Sequence, residues 1–193
     1  MLAKRREAEL DYYRDLYANH GYGQGPSMRH AITDKVCRDY GNNPLWTKWL
    51  DVGAGTRIVH TPSCIKVLRR TDPGRLQVMD NFAIHELVNA YGVNSFDVVS
   101  CFDVLEHLLP EELDEALMCL WAVCKPGGRL IVSVGTDRGA DLNGRDTHLI
   151  QKPMVWWKWR LGESWHEITV DHVATSKGTS PFFVADKPKR DTK

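Results

Sequence analysis

The chain has no excess of either charge: 25 Lys and Arg balance 25 Asp and Glu over 193 residues. That balance removes any global electrostatic argument for nucleic acid or an anionic membrane as partner. The basic clusters Lys4-Arg5-Arg6 and Lys187, Lys189, Arg190 and Lys193 read as solvated tails. No apolar run approaches the roughly 20 residues of a membrane span. The opening Met1-Leu2-Ala3-Lys4-Arg5-Arg6-Glu7 has no apolar stretch behind it to serve as a signal peptide. The five cysteines, Cys37, Cys64, Cys101, Cys119 and Cys124, form no CxxC pair, and an odd number without framework spacing argues for a reducing, cytoplasmic compartment. Ligand-spaced clusters of His, Cys and carboxylates are also missing, so no metal is expected. No full GxGxxG occurs, which disfavours a dinucleotide enzyme. Internal repeats and long low-complexity segments are absent. A chain of this length is one domain by the usual prior, and long enough to bury a core.

What is present begins at Leu50-Asp51-Val52-Gly53-Ala54-Gly55-Thr56. A short strand ending in an acid and two glycines gives the backbone room to turn sharply and a ligand room to approach. Asp51, at the carboxyl end of that strand, can accept hydrogen bonds in the crevice where open α/β sheets bind ligands. A second unit starts at Ser95-Phe96-Asp97-Val98-Val99-Ser100-Cys101-Phe102, a buried strand followed at once by Asp103-Val104-Leu105-Glu106-His107-Leu108. Leu113, Ala116, Leu117, Leu120, Trp121 and Cys124 then share one helical face. Lys125-Pro126-Gly127-Gly128 stops that helix, and Arg129 to Val134 is the next strand. Strand, helix, strand implies a parallel crossover.

LDVGAGT, SFDVVSCFDVLEHL, a helix and KPGGRLIVSV, in that order, resemble a class I S-adenosylmethionine-dependent methyltransferase across roughly residues 45 to 135. The resemblance implies a three-layer Rossmann-like α/β fold whose sheet is mostly parallel with an antiparallel C-terminal strand. It implies S-adenosylmethionine as cofactor, with the loop of Gly53 and Gly55 under its methionine part and Asp51, Asp80, Phe102 and Asp103 around it. It further implies a single domain over 1–193, with residues 1–44 as a helical lid on a core of 45–193. Within that lid the sequence predicts helices over 3–18 and 27–39, from which Tyr13, Tyr22 and Arg29 can reach the cofactor. Arg29 is the candidate partner for the cofactor carboxylate, because a guanidinium fork matches a carboxylate.

The chain departs from the family in two places. Between the glycine loop and the SFDVV strand there is room for little more than one helix-strand unit, so one edge strand is missing or reduced. Thr61-Pro62 opens a helix with Cys64, Ile65, Val67 and Leu68 on its apolar face, Arg75 to Met79 reads as a strand ending at Asp80, and Ala83 to Tyr91 reads as a helix. Asp80 is then the ribose acid, the acid near the adenine amine, or a helix cap. The second departure is Arg57, which stands where many relatives have a third glycine; it points outward or pairs with Asp51 or the cofactor carboxylate.

Gly135 to Arg145 is a loop at the substrate edge. Met154 to Leu161 reads as a helix whose Trp156, Trp157 and Trp159 cannot all face the core, since residues advance by about 100° each. Two strands follow, one with Ile168, Val170 and His172 on one side and one over Pro181 to Ala185. His107 and His148 are the candidate acid-base groups, because imidazole titrates near neutrality. The expected function is methyl transfer to a small or medium-sized acceptor. The alternative is a non-catalytic partner subunit on the same fold. No Asn-Pro-Pro-Tyr type motif follows the SFDVV strand, which disfavours nucleic-acid amino groups as acceptor.

Overall fold

The computed structural model describes residues 4–5, 8, 11–12, 28–40, 48–53, 67–70, 84–139, 141–142, 144–175 and 178–189. Helix α1 spans Met28–Tyr40, strand β1 Lys48–Val52, β2 Val67–Arg70, helix α2 Ile84–Tyr91 and β3 Phe96–Phe102. Helix α3 (Leu113–Val123), β4 (Cys124–Ser133), the two-residue strands β5 (Asp141–Leu142) and β6 (Arg145–Asp146), helix α4 (Met154–Gly162), β7 (His166–Thr175) and β8 (Gly178–Asp186) complete the described elements.

Six strands form one sheet in the order β2-β1-β3-β4-β8-β7. β2, β1, β3 and β4 are parallel, and β8 runs antiparallel to both β4 and β7. This is the expected class I architecture with its antiparallel last strand. Alternating side chains divide between two apolar layers. Trp49, Val98, Phe102, Ile131, Phe182 and Val184 pack with Ile32 and Val36 of α1. Leu50, Val99, Cys101, Leu130, Val132 and Phe183 pack with Leu87 of α2, Leu117 and Leu120 of α3, and Trp157 and Leu161 of α4. A strand buried on both faces needs this continuous apolar run.

Several local expectations are corrected. Val67 and Leu68 do not belong to a helix: Val67–Arg70 is β2, with Lys48 opposite Val67 and Asp51 opposite Arg70. A short apolar run has no period to distinguish helix from strand, and pairing with β1 decides. Trp121 is 40% exposed, whereas Cys119 and Val123 are buried, so the apolar face of α3 is rotated from the predicted one. Cys124 already pairs with Phe96 in the sheet. On β7, Ile168 and Val170 face the α2–α4 layer as expected, Ile168 packing against it and Val170 lying opposite Phe183, but Val170 is 38% exposed and the buried residue is Val173, on the other face. The predicted strand Arg75–Met79, the ends of the first predicted helix, Tyr13, Tyr22, Arg57, Gly55 and Asp80 lie outside the described residues.

Helix α1 packs on the sheet through Ile32 and Val36. In the segment before it, Arg5 pairs with Glu111, and the Tyr12 hydroxyl lies 3.4 Å from the Arg145 carbonyl, with the Arg145 guanidinium 4.4 Å from the centre of the Tyr12 ring. No helix among the described residues is long and apolar enough to cross a membrane.

Candidate functional site

The parallel strands bring Asp51, Gly53 and Asp103 to one edge. Val52 lies opposite Cys101 and Phe102 opposite Ser133, so Gly53, Asp103 and Gly135 follow their strands side by side. Gly53 holds φ 72°, a region that favours glycine. Asp51 is buried and accepts from the Ser100 hydroxyl at 2.7 Å, so part of its hydrogen-bonding capacity is spent within the sheet. Asp103 is a non-glycine residue at φ 53°; its amide donates to the Ser133 carbonyl at 3.0 Å and its carboxylate accepts from the Ser133 hydroxyl at 2.8 Å. The Phe102 side chain is fully buried in the layer beneath α1. Arg29 falls in the first turn of α1, and its side chain is outside the described residues.

Beyond β3 the chain makes a short turn, Leu105–His107, with Glu106 completely buried and His107 nearly so. Glu106 ties two further segments to this turn. Its carboxylate accepts from the Gly135 amide at 2.6 Å, and its backbone carbonyl accepts from the amides of Leu149 at 2.8 Å and Ile150 at 2.9 Å. His148 is thereby set against His107, with ring centres 4.8 Å apart and planes at 77°. Asp146 fixes the same loop from the other side, accepting from the amides of Gly139 at 2.8 Å and His148 at 2.9 Å and from Arg138 at 3.1 Å. The His148 amide chiefly, then Gly139 and Arg138, hold the Asp146 carboxyl down at about 2.

Two glycines make room for the His148 ring. A Cβ on Gly135 would lie 2.2 Å from its Cε1, and one on Gly139 would lie 2.6 Å from its Cδ2. Each imidazole also has its Nδ1 on a backbone carbonyl: His107 on Thr147 at 2.7 Å and His148 on Asp137 at 2.6 Å. A carbonyl only accepts, so both Nδ1 atoms carry the proton, and in the neutral form of either ring the lone pair is on Nε2. Burial, then the neighbouring His148, pushes His107 down to about 4. At neutral pH it is therefore an uncharged lone-pair donor and a weak base.

The sequence brought His107 and His148 into view as separate candidates; the structure joins them. Glu106, Gly135, Gly139 and Asp146 were not singled out. Their signal was faint: an acid beside a histidine, and small residues in a loop at the substrate edge.

Residues 65–132 match the sequence pattern of a methyltransferase-domain family. A comparison with curated proteins finds no match. Among solved structures, the chain resembles the 1,6-didemethyltoxoflavin-N1-methyltransferase of Burkholderia thailandensis, bound to 1,6-didemethyltoxoflavin and S-adenosylhomocysteine, with TM-score 0.61 and 15% identity over 97% of this chain and 89% of that one. It resembles the N-methyltransferase NodS of Bradyrhizobium japonicum with S-adenosylhomocysteine, with TM-score 0.63 and 13% identity over 94% of this chain and 99% of that one. DhpI with S-adenosylhomocysteine gives TM-score 0.63 and 18% identity over 96% of this chain and 97% of that one. Over residues 65–132 the chain carries the methyltransferase-domain pattern, and over nearly its whole length it has the fold of the class I S-adenosylmethionine-dependent methyltransferases.

Proposed function

We propose that the protein transfers the methyl group of S-adenosylmethionine to a nitrogen or oxygen nucleophile on a small or medium-sized molecule. The observation that carries this reading is the convergence, at the carboxyl edge of a methyltransferase-type sheet, of the Gly53 turn, Asp103 and the His107–His148 pair. The sulfonium methyl is an electrophile, and alignment of a nucleophile behind it supplies much of the rate. In this reading Asp51, Gly53, Gly55 and Asp103 hold the cofactor. Arg29 takes its carboxylate, and Asp80 or the earlier Asp72 takes its ribose. Asp72 joins the candidates because β2 ends at Arg70, two residues before it. His107 and His148 stand on the acceptor side. The 1,6-didemethyltoxoflavin bound in the Burkholderia protein supports an acceptor of small size.

Calorimetric titration with S-adenosylhomocysteine tests the cofactor half. The parent protein should bind, and Gly53→Val should lose at least about a hundredfold in affinity. A valine there obstructs the approach and must adopt a left-handed backbone at about 1–2 kcal/mol. A parent protein that binds no S-adenosylhomocysteine at high concentration would instead favour the non-catalytic partner subunit, a rival motivated by Arg57 and the short middle of the chain.

A further inference from the structure

We propose that Glu106, His107 and His148 form a binding site for one divalent transition-metal ion of the zinc type, at the acceptor end of the crevice. One donor atom from each residue lies within 4.8 Å of those from the other two. Zinc–nitrogen bonds of about 2.0–2.1 Å in a tetrahedron put neighbouring donors about 3.3–3.5 Å apart, so closure needs only small side-chain movements. Two imidazoles and one carboxylate, with a fourth position open to water or substrate, is a donor set suited to a borderline cation. Magnesium and calcium favour oxygen donors and fit it poorly.

The surroundings make the case stronger than the proximity alone. A histidine that binds metal through Nε2 usually donates its Nδ1 proton to a carbonyl or carboxylate, which fixes tautomer and ring orientation. Both imidazoles have such a carbonyl, from Thr147 and Asp137. The Glu106 carboxylate is oriented in the same way by the Gly135 amide. Gly135 and Gly139 shape the backbone around the His148 ring so closely that any side chain there would displace it. The loop carrying His148 is anchored twice, by the Glu106 carbonyl and the Asp146 carboxylate. Two ligands are adjacent in sequence and the third comes 41 residues later, which hides the set from spacing arguments. The task of the ion, to hold the oxygen or nitrogen that receives the methyl, rests on the methyl-transfer reading; its binding does not.

The test uses the full chain after treatment with a chelator. Zinc is titrated by calorimetry and cobalt(II) by visible absorption, whose strength reports four-coordinate geometry. One equivalent of each should bind. His148→Gln, at a half-buried ring, should lower zinc affinity at least about a hundredfold and abolish the cobalt band. Gly135→Ala should cost about 10–100-fold through displacement of His148. A double variant of the exposed β7 histidines, His166→Gln with His172→Gln, should bind as the parent does. Circular dichroism checks that each variant is folded. Absence of stoichiometric binding to the parent, unchanged binding in His148→Gln, or equal competition by magnesium would each overturn the proposal. S-adenosylhomocysteine titration of the same chelated protein keeps failure of the metal site distinct from failure of the cofactor site.

Discussion

At the amino end of β3, Asp97 accepts from the Lys48 amide at 2.8 Å and pairs with the Lys125 ammonium at 2.5 Å. Six residues on, at the carboxyl end, Asp103 sits in a left-handed backbone conformation, one strand over from the Gly53 turn and two residues before the Leu105–His107 turn. Among the described residues, the amino edge around β3, β4 and the end of β8 is tied together by the chain's own groups. Lys187, buried there, donates to the carbonyls of Trp121 and Cys124 at 2.6 Å each and to Asn94 at 3.1 Å, with its ammonium 3.6 Å from the centre of the Trp121 ring. The Gly127 amide donates to the Lys187 carbonyl at 2.9 Å, and the Lys187 amide to the Gly128 carbonyl at 2.8 Å. On the proposed function, the same strands present a closed edge and a reactive edge, and a carboxylate means something different on each. Substitutions on the closed edge should move stability and leave binding alone. Those on the reactive edge should do the reverse.

The largest effect is expected from Lys187→Met. The thioether keeps the bulk but leaves two buried carbonyls without their donor, at about 1–3 kcal/mol for each unsatisfied group. A loss of about 3 kcal/mol in urea unfolding should accompany an unchanged affinity for S-adenosylhomocysteine in the folded fraction. A loss below about 1 kcal/mol would mean that the closed edge does not depend on this lysine. Asp97→Ala comes next, at about 2 kcal/mol. It breaks a buried charged contact, but partial exposure of Lys125 screens the pair. Its cofactor affinity should again stay within about twofold of the parent's.

The sequence made this division legible wherever period and punctuation agreed. The alternation of Val98 and Val99, and of Phe182 and Phe183, between two layers follows from strands buried on both faces. Asp97 at the start of its strand and Asp103 past its end could be assigned to opposite edges before any coordinates. The reading failed where cover by neighbouring elements, rather than period, decides burial: the faces of β7 alternate as read, but Val170 is 38% exposed while Val173 on the other face is buried. It failed again at Val67-Leu68, where four residues pair with β1 but carry no period of their own. The acceptor side was legible only in fragments. His107 and His148 meet because the Glu106 carbonyl receives the amides of Leu149 and Ile150, and a backbone contact leaves little trace in side-chain identity.

The reassigned β2 sharpens the comparison at the cofactor. If the acid that holds the ribose follows the strand paired with β1, Asp72 lies two residues after that strand and Asp80 ten. A charge-assisted hydrogen bond contributes about 1.5–3 kcal/mol, or roughly tenfold and more in affinity. One of Asp72→Ala and Asp80→Ala should therefore lose at least about tenfold in S-adenosylhomocysteine titration, and the other should bind nearly as the parent does. Equal and unchanged affinities would remove both from the site.

The smallest expected change in stability, and the sharpest contrast with Asp97, belongs to Asp103→Gly. Three terms act on the fold, and they nearly cancel. Glycine accepts φ 53° freely, which relieves about 1–2 kcal/mol of left-handed strain. The lost hydrogen bond from Ser133 costs about 0.5–1.5 kcal/mol. The greater freedom of glycine in the unfolded chain costs a further 0.4–1 kcal/mol or so. Unfolding should therefore shift by less than about 1 kcal/mol in either direction. Binding has no such compensation: if Asp103 holds the cofactor as proposed, its carboxylate is gone, and S-adenosylhomocysteine affinity should fall severalfold or more. The reverse result, a variant clearly less stable than the parent with cofactor affinity intact, would make Asp103 a structural residue like Asp97. The division of β3 into a closed and a reactive end would then fail at the residue that separates them.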